Sequence, residues 1–445
     1  MNVTTPGKNM QVLVWRELDD EQRNSVLQRP ALSIGPDVAD AAAAIIRQVR
    51  TNGDAALLEL TAKFDKAVLT SLRVDAQDFA EAEQALSPKA IEAIDVAIAN
   101  VSRFHEAQRL AAIDIETMPG VRCERLTRPI DAVGLYVPAG TAPLPSAAIM
   151  LAVPARIAGC GRKALCTPPR PDGTADPAVL VAAQRAGVDE IYKVGGAQAI
   201  AALAFGTESI LPVDKIFGPG NAWVTAAKSQ VAGVAGGVAI DMPAGPSEVL
   251  VIADDSANAA FVASDLLSQA EHGADSQVIL LSSSERLVSD VKEQLDQQLQ
   301  TLDRRDVAAA ALLNSRLIVC DDIETAIAIS NRYAPEHLIL QFENARSALP
   351  EIRNAGSVFV GPWTPESVGD YCSGTNHVLP TYGAARNFSG LGLEQFCRQM
   401  TVQELTPDGL KRLGPSVTEL ARLEGLDAHA AAVDIRINSL AERSR

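Results

Sequence analysis

Residues 132–167 read AVGLYVPAGTAPLPSAAIMLAVPARIAGCGRKALCT. The apolar runs at 132–137 and 163–167 have the length of strands, and the apolar segment at 146–159 has the length of a helix. A strand, a helix and a second strand in this order form the unit from which parallel sheets are built. This stretch therefore predicts an α/β fold in which helices cover a parallel sheet.

The same alternation continues on the C-terminal side of this stretch. Further strands are expected at 190–194, 215–217, 238–241, 248–253, 277–281, 317–320, 337–340 and 357–360. Helices are expected between them, at 176–186, 197–204, 222–231, 258–271, 285–302 and 325–332. Two successive α/β modules suggest an internal duplication, although the sequence shows no convincing repeat.

The two ends of the chain are predicted to be helical. Ser87-Pro88 is a helix start signal for residues 89–109, and His105 on that helix is expected to be a structural or surface histidine. In the tail, Ser416 and Glu419 have the spacing of a capping box before a helical segment. A tail of this kind packs on its own subunit or on a partner subunit.

Length, net charge and cysteine content limit the classes of protein to which this chain can belong. A chain of 445 residues is expected to form two or three domains, and its net charge of −16 argues against nucleic acid or an anionic membrane surface as the main partner. No apolar run reaches the roughly 18 residues of a membrane span. Six cysteines without a CxxC pair are typical of reduced thiols, so the cytoplasm is the expected location.

A possible metal site lies where one predicted helix ends. The segment Gln269-Ala270-Glu271-His272-Gly273 closes the apolar run that begins at Phe261, and Gly273 is a helix stop signal. Residues three apart share a helix face, so Gln269 and His272 are expected to project together. An amide oxygen beside an imidazole suits a metal such as zinc.

Two glycine-rich turns are candidates for a ligand loop. Gly218-Pro219-Gly220-Asn221 and Gly195-Gly196-Ala197-Gln198 each lie between a predicted strand and a predicted helix. Either is a plain tight turn or a loop whose backbone approaches a phosphate at a helix N-terminus. Two such turns on one sheet edge favour the ligand, because ligands of open α/β sheets bind beyond the carboxyl ends of the strands.

Other polar residues allow a functional and an ordinary interpretation. The neighbours Glu336 and His337 could divide acid–base chemistry, or their adjacency could be accidental. Asp370 could be an oxygen ligand of the metal or a turn aspartate, in a segment that looks like a loop. His377 lies in a similar segment, and His429 lies in the tail, where histidines are usually solvated.

Taken together, these segments resemble the histidinol dehydrogenase family. The resemblance runs from about residue 30 to the C-terminus and is carried by 135–140, 218–221, 244–248, 269–273, 334–338 and 424–429. It implies two incomplete Rossmann-like parallel-sheet domains with an N-terminal helical region and a small C-terminal helical tail, in an intertwined homodimer. The expected boundaries are an N-terminal extension at 1–29, a zinc-binding and catalytic domain at 30–131 plus 248–390, an NAD-side domain at 132–247, and a tail at 391–445 that packs on the partner subunit.

The resemblance also implies the chemistry. Members oxidise L-histidinol to L-histidine through a retained aldehyde, in two NAD-dependent steps, with one zinc ion per subunit. The implied zinc ligands are Gln269, His272 and Asp370 of one subunit and His429 of the partner subunit, a ligand donated across the interface. His337 is the implied general base, and Glu336 would activate the water that adds to the aldehyde.

Further residues match the family's substrate and cofactor contacts. The implied substrate contacts are Ser247, His377 and Glu424 together with the zinc ligands and His337. The implied NAD contacts are Tyr136, Gln198 and Asn221. The segment Ala139-Gly140-Thr141 departs from the family, which more often has Gly-Gly-Lys there. The alternative is a zinc- and NAD-dependent dehydrogenase of another small alcohol, but the presence of His377, Glu424 and His429 favours histidinol.

Overall fold

The computed structural model of this protein describes residues 10–30, 36–139, 143–242 and 245–442. The chain divides into two units. The first unit comprises residues 1–108 and 130–396, and the second comprises residues 109–129 and 397–445. The domain boundaries expected from the sequence stay a prediction.

Within the described ranges, fourteen strands form three sheets. The strands are β1 (Gln11–Val14), β2 (Ile113–Met118), β3 (Val121–Pro129), β4 (Ala132–Tyr136), β5 (Arg162–Thr167), β6 (Glu190–Lys193), β7 (Lys215–Phe217), β8 (Ala239–Ile240), β9 (Glu248–Ala253), β10 (Gln277–Ser282), β11 (Arg316–Val319), β12 (His337–Gln341), β13 (Ser357–Val360) and β14 (Cys397–Leu405).

The α-helices accompany these strands. They are α1 (Asp20–Val26), α2 (Pro36–Phe64), α3 (Ala76–Ala85), α4 (Pro88–Glu106), α5 (Pro145–Ala158), α6 (Pro177–Arg185), α7 (Gly196–Phe205), α8 (Ala222–Ala232), α9 (Ala259–Ala270), α10 (Glu285–Leu299), α11 (Arg305–Leu313), α12 (Ile323–Tyr333), α13 (Glu366–Tyr371), α14 (Pro407–Leu423) and α15 (Asp427–Glu442).

The first unit contains two parallel sheets. One has six strands in the order β1-β11-β10-β9-β12-β13, and the other has five in the order β6-β5-β4-β7-β8. Every pairing within these two sheets is parallel. The α/β class predicted from the alternation of strands and helices is therefore confirmed.

The six-stranded sheet is covered on both faces. Alternate residues of β9 separate into two apolar clusters: Val249 and Val251 pack on the face of α9 and α10, and Leu250 and Ile252 pack on the face of α12. Burial on both faces explains why this strand is a continuous apolar run rather than an alternating one. The N-terminal strand β1, which the sequence did not predict, pairs with β11 at the edge of this sheet.

The predicted start of α4 is confirmed. The Ser87 hydroxyl accepts a hydrogen bond from the Ala90 N–H at 3.2 Å, and Pro88 is the first helical residue. His105 near the end of α4 is fully buried, and its Nδ1 lies 2.8 Å from the Val101 carbonyl oxygen. Of the two possibilities that the sequence left, His105 is thus a structural histidine.

Two local predictions are wrong. Residues 366–371, expected to be a loop, form the short helix α13. Ser416 does not begin a helix, because it lies inside α14, which starts at Pro407 and is capped by the Thr406 hydroxyl. Thr406 accepts from the Gly409 N–H at 3.1 Å, so the real cap lies ten residues before the predicted one.

The second unit is an antiparallel sheet with two helices. Its strand order is β14-β3-β2, and α14 and α15 follow β14. Residues 109–129 therefore pair with the start of the tail, a contact distant in sequence that local patterns could not reveal. Within the described ranges, no helix is both long and apolar enough to span a membrane.

Candidate functional site

The amino ends of two neighbouring strands carry the polar residues of the first site. β9 begins at Glu248 and β12 begins at His337, and their parallel register places His337 opposite Val249. Helix α9 follows β9 and runs back, so its last turn brings Gln269 to the same edge. The N-termini of strands and the C-terminus of α9 therefore meet at this edge of the six-stranded sheet.

The backbone of Glu248 holds the predicted acid–base pair. Its N–H donates to Glu336 Oε2 at 2.9 Å, and its carbonyl oxygen lies 3.1 Å from His337 Nδ1. A carbonyl can only accept, so the proton of the neutral imidazole lies on Nδ1. The other ring nitrogen of His337, Nε2, lies 3.5 Å from Asp370 Oδ1.

A group of side chains beside this pair could hold a metal ion. One ligand atom each from His272, Glu366 and Asp370 lies within 4.8 Å of the others. The Gln269 amide joins the group: its nitrogen donates to Glu366 Oε1, and its oxygen accepts from the Glu248 N–H at 3.2 Å. Nitrogen and oxygen donors in one place fit a divalent cation such as zinc.

The charges of the group also favour a cation. Burial raises the pKa of Glu336 and of Glu366 to about 8. Burial by itself lowers the pKa of His337, but the carboxylates of Glu366, Glu336 and Asp370 outweigh it and raise that pKa well above its usual range. Three acidic groups lie around one imidazole, and a bound cation would favour the ionised form of Glu336 and Glu366.

Asp370 stays ionised in this group. Burial alone would raise its pKa, but the hydrogen bond with His337 and the fields of His337, His377 and His272 leave the pKa lowered. An ionised carboxylate among imidazoles is a suitable oxygen ligand. His377 is thus brought to the same place, and burial lowers its pKa.

Ser247 immediately precedes β9, on the same edge. Its carbonyl oxygen accepts from the Gln277 N–H at 3.2 Å, which fixes the start of the strand. The structure thus brings together Gln269, His272, Glu336, His337, Asp370 and His377, with Ser247 next to the backbone that anchors them.

A second site lies at the carboxyl ends of the five-stranded sheet. A cavity of about 310 Å³ there is lined by Ile45, Phe64, Asp65, Gly196, Ala197, Gln198, Asn221 and Trp223. Two of the three predicted cofactor residues, Gln198 and Asn221, thus face one space. The third, Tyr136, ends β4 and accepts a hydrogen bond from the Gly196 N–H at 3.0 Å.

Both glycine-rich turns have the backbone that glycine permits. Gly196 has φ +62° and Gly218 has φ +129°. A Cβ on Gly218 would lie 2.1 Å from the Tyr136 carbonyl oxygen, so no larger residue fits. After the second turn, the Asn221 side chain caps α8 by accepting from the Trp223 N–H at 3.1 Å.

The predicted site residues of the tail belong to the second unit. Glu424 follows the end of α14, and His429 lies in the first turn of α15. Both side chains are exposed. Of the departure noted at 139–141, Gly140 and Thr141 lie outside the described residues, as does Ala244 of the segment at 244–248.

Glu366 is a site residue that the sequence did not single out. It is 1% exposed and precedes Asp370 by four residues on α13, so the two carboxylates share a helix face. The four-residue spacing was visible in the sequence, but it indicates a shared face only if the segment is a helix. Without that interpretation, Glu366 is one of many acidic residues.

The comparisons with known proteins point to one family. The family model for histidinol dehydrogenase matches residues 27–437. Histidinol dehydrogenase of Vibrio vulnificus is 53% identical over 98% of this chain and 100% of its own length. The enzyme of the same name from Xanthomonas euvesicatoria is 56% identical over 96% of this chain and 99% of its own length. The crystal structure of histidinol dehydrogenase from Elizabethkingia anophelis matches with a TM-score of 0.94 and 48% identity, over 97% of this chain and 99% of that chain.

Proposed function

This chain belongs to the histidinol dehydrogenase family and is an oxidoreductase, and we propose that it oxidises L-histidinol to L-histidine in two NAD-dependent steps at a zinc site. The observation that carries the proposal is the convergence of Gln269, His272 and Asp370 beside Glu336 and His337. These are the residues that the family resemblance implies. The reaction completes histidine biosynthesis.

The proposed zinc ligands come from two subunits. Gln269, His272 and Asp370 would hold the ion on one side, and His429 of the partner subunit would complete the set. Zinc, when bound, would hold the imidazole and the amine of histidinol and so orient the alcohol. Glu366 accepts a hydrogen bond from the Gln269 amide nitrogen, so the amide oxygen is the atom of Gln269 that would bind zinc.

His337 is the proposed base for the alcohol. With its Nδ1 proton directed at the Glu248 carbonyl, Nε2 is the atom through which the neutral form of His337 accepts the hydroxyl proton, and the raised pKa means that this form increases as the pH rises. Glu336, anchored by the Glu248 N–H, takes a proton from the water that adds to the aldehyde. Because both groups are fixed on one backbone residue, the same site can serve both oxidations without rearrangement.

The cavity at the five-stranded sheet is the proposed NAD site. Gln198 and Asn221 line it, and Tyr136 holds the Gly196 turn. NAD, when bound, takes up the hydride in each oxidation. The N-termini of α7 and α8 open towards this edge, which favours the negative charge of a pyrophosphate.

A homodimer is proposed because His429 of the tail is an implied zinc ligand and because the second unit exposes several large apolar side chains. Large apolar side chains of the second unit are exposed, among them Ile115, Met400, Leu420, Leu423 and Ile435. Exposed apolar side chains of this kind are typical of an interface with a partner subunit.

Ser247, His377 and Glu424 are the proposed substrate contacts. The cytoplasmic location expected from the cysteines stays a prediction.

The test is the number of NADH molecules formed per molecule of L-histidinol, with zinc-loaded protein and limiting substrate. Two NADH per alcohol are expected, because the product is the acid. The same protein stripped of metal by a chelator is the control and should form none until zinc is restored. One NADH, or none, would contradict the proposal and direct a screen of other small alcohols.

A further inference from the structure

Arg29 lies in the segment that precedes the first long helix, and the proposed chemistry does not use it. Its side chain is only 10% exposed, and the carboxylate it pairs with, Glu248, is 2% exposed. Arg29 Nη2 donates to Glu248 Oε2 at 2.9 Å, and Nε donates to Glu248 Oε1. This is a two-pronged ion pair in a buried position, where the planar guanidinium gives both charge and geometry.

The same guanidinium holds the end of helix α12. Its Nη2 also donates to the carbonyl oxygens of Tyr333 at 2.9 Å and Ala334 at 3.2 Å. The guanidinium carbon lies 3.8 Å from the centre of the Tyr333 ring. A cation at the C-terminal carbonyls of a helix is favourable, and the stacked ring fixes the plane of the guanidinium.

Ala334 needs such support. Its φ is +56°, a conformation that a residue with a Cβ adopts only when its surroundings impose it. Ala334 is followed by Pro335 and then by Glu336 and His337. The direction in which the chain leaves α12 therefore sets the position of both proposed catalytic side chains.

Glu248, the ion-pair partner of Arg29, also contacts Glu336 and His337. The backbone of Glu248 donates to Glu336 and accepts from His337. Glu248 Oε1 also accepts from the Tyr382 N–H at 2.9 Å, so its side chain is fixed from two sides. Arg29 thus links the strand start that anchors Glu336 and His337 to the helix end that delivers them.

We propose that Arg29 is a positioning residue that holds Glu336 and His337 in place by clamping Glu248 to the end of α12. The inference rests on the proposed function for the roles of those two residues. Arg29 acts on them only through its contacts with Glu248, Tyr333 and Ala334. Its loss should lower the turnover rate of both oxidations, because both acid–base groups share the anchor that it fixes.

The test compares Arg29→Met, Arg29→Lys and Glu248→Gln in the full-length, zinc-loaded protein. Arg29→Met should lower kcat by about 10- to 100-fold for histidinol and also for the aldehyde supplied directly, the scale expected for small displacements. The KM for NAD and the zinc content should not change. Glu248→Gln should reproduce the loss, since it keeps the backbone anchors but removes the ion pair. Arg29→Lys keeps the positive charge but not the two-pronged geometry, so its kcat should lie between those of the parent protein and Arg29→Met.

Arg23→Met is the matched control. Arg23 belongs to the same segment, lies 5.4 Å from the centre of the Trp15 ring, and pairs with Asp20 at 3.5 Å on the surface. Its loss should leave kcat unchanged. The double variant Arg29→Met/Glu248→Gln should be no slower than either single variant, because the two residues act as one unit.

A second readout does not depend on activity. The ¹⁵N spectrum of the His337 imidazole should show Nδ1 protonated and hydrogen-bonded in the parent protein, and a weakened bond in Arg29→Met. An unchanged spectrum or an unchanged kcat in a folded Arg29→Met variant would overturn the inference. So would a loss of kcat that only follows loss of zinc or of folded protein. A parent protein that does not oxidise histidinol would instead overturn the proposed function, while the spectrum still tests the clamp.

Discussion

The two parallel sheets of the first unit use opposite ends for their polar sites. The five-stranded sheet has its cavity at the carboxyl ends of the strands, next to the turns at Gly196 and Gly218. The six-stranded sheet has the proposed acid–base pair and the side chains that could hold a metal ion at the amino ends, where β9 and β12 begin. Two sheets of the same kind therefore carry different candidate sites at different edges.

Helix polarity gives a physical reason for this difference. At the carboxyl edge the helices begin, so their free N–H groups and positive ends face the ligand and favour an anion. At the amino edge the helices end, and their carbonyl groups favour cations. Arg29 at the end of α12 is one such cation, and the metal proposed beside the end of α9 would be another.

The largest effect is expected from His337→Asn. This variant removes the proposed base at the amino edge, so turnover should fall by roughly 10²- to 10⁴-fold. The affinity for NAD and the zinc content should stay at the level of the parent protein, because the carboxyl edge and the metal ligands are intact. Rate assays, equilibrium NAD binding and metal analysis together check this. Normal turnover would mean that the chemistry lies elsewhere.

His429→Ala tests whether the amino edge needs a residue from the tail. Zinc retention and activity should both fall, because one of four proposed ligands is missing. Arg436→Ala on the same helix α15 is the control and should behave like the parent protein. Mixing His429→Ala with His337→Asn subunits should restore part of the activity. With subunit exchange verified, a failure to restore it would place the ligand within one subunit.

Asn221→Ser addresses the carboxyl edge alone. Serine keeps the cap of α8 but loses the amide that lines the cavity, so the KM for NAD should rise by roughly 10-fold, the loss of one hydrogen bond. Zinc content and thermal stability should not change. If zinc binding falls as well, the two edges are not independent.

The smallest effect is expected from Ser87→Ala, far in sequence from both sets of site residues. Loss of the cap on α4 should lower the free energy of unfolding by about 1 kcal/mol without changing kcat or KM. Chemical denaturation measures the first, and steady-state kinetics the second. Ser87→Thr keeps a hydroxyl cap and is the control. A kinetic change in the alanine variant would show that α4 contributes to a site.

The carboxyl edge could be predicted from the sequence because its signals are local. A strand, a glycine turn and a helix start lie within a few residues at 215–224, and their meaning follows from backbone geometry. The amino edge could not be assembled in this way. Any two of Arg29, Glu248 and Glu336 are more than 80 residues apart in sequence, and only the tertiary fold brings them together.

The second unit was predicted least well, also for a physical reason. All residues of β2 are exposed, so the strand lacks the apolar alternation that burial on one face produces. Its pairing partner β3 lies next to it in the chain, but β14 follows some 270 residues later. Ser416 shows the opposite error. Its local capping signal predicted the start of a helix, but the residue lies inside the longer helix α14.

Anomalous X-ray diffraction at the zinc absorption wavelength, from crystals grown with zinc and NAD, tests directly whether zinc binds at the amino edge of one sheet and NAD at the carboxyl edge of the other. We expect one anomalous peak per subunit, bounded by Gln269, His272 and Asp370, with His429 of the partner subunit at the fourth position. NAD density should lie in the cavity of Gln198 and Asn221. A zinc peak elsewhere, or NAD bound at the amino edge, would contradict the division of chemistry between the two sheets.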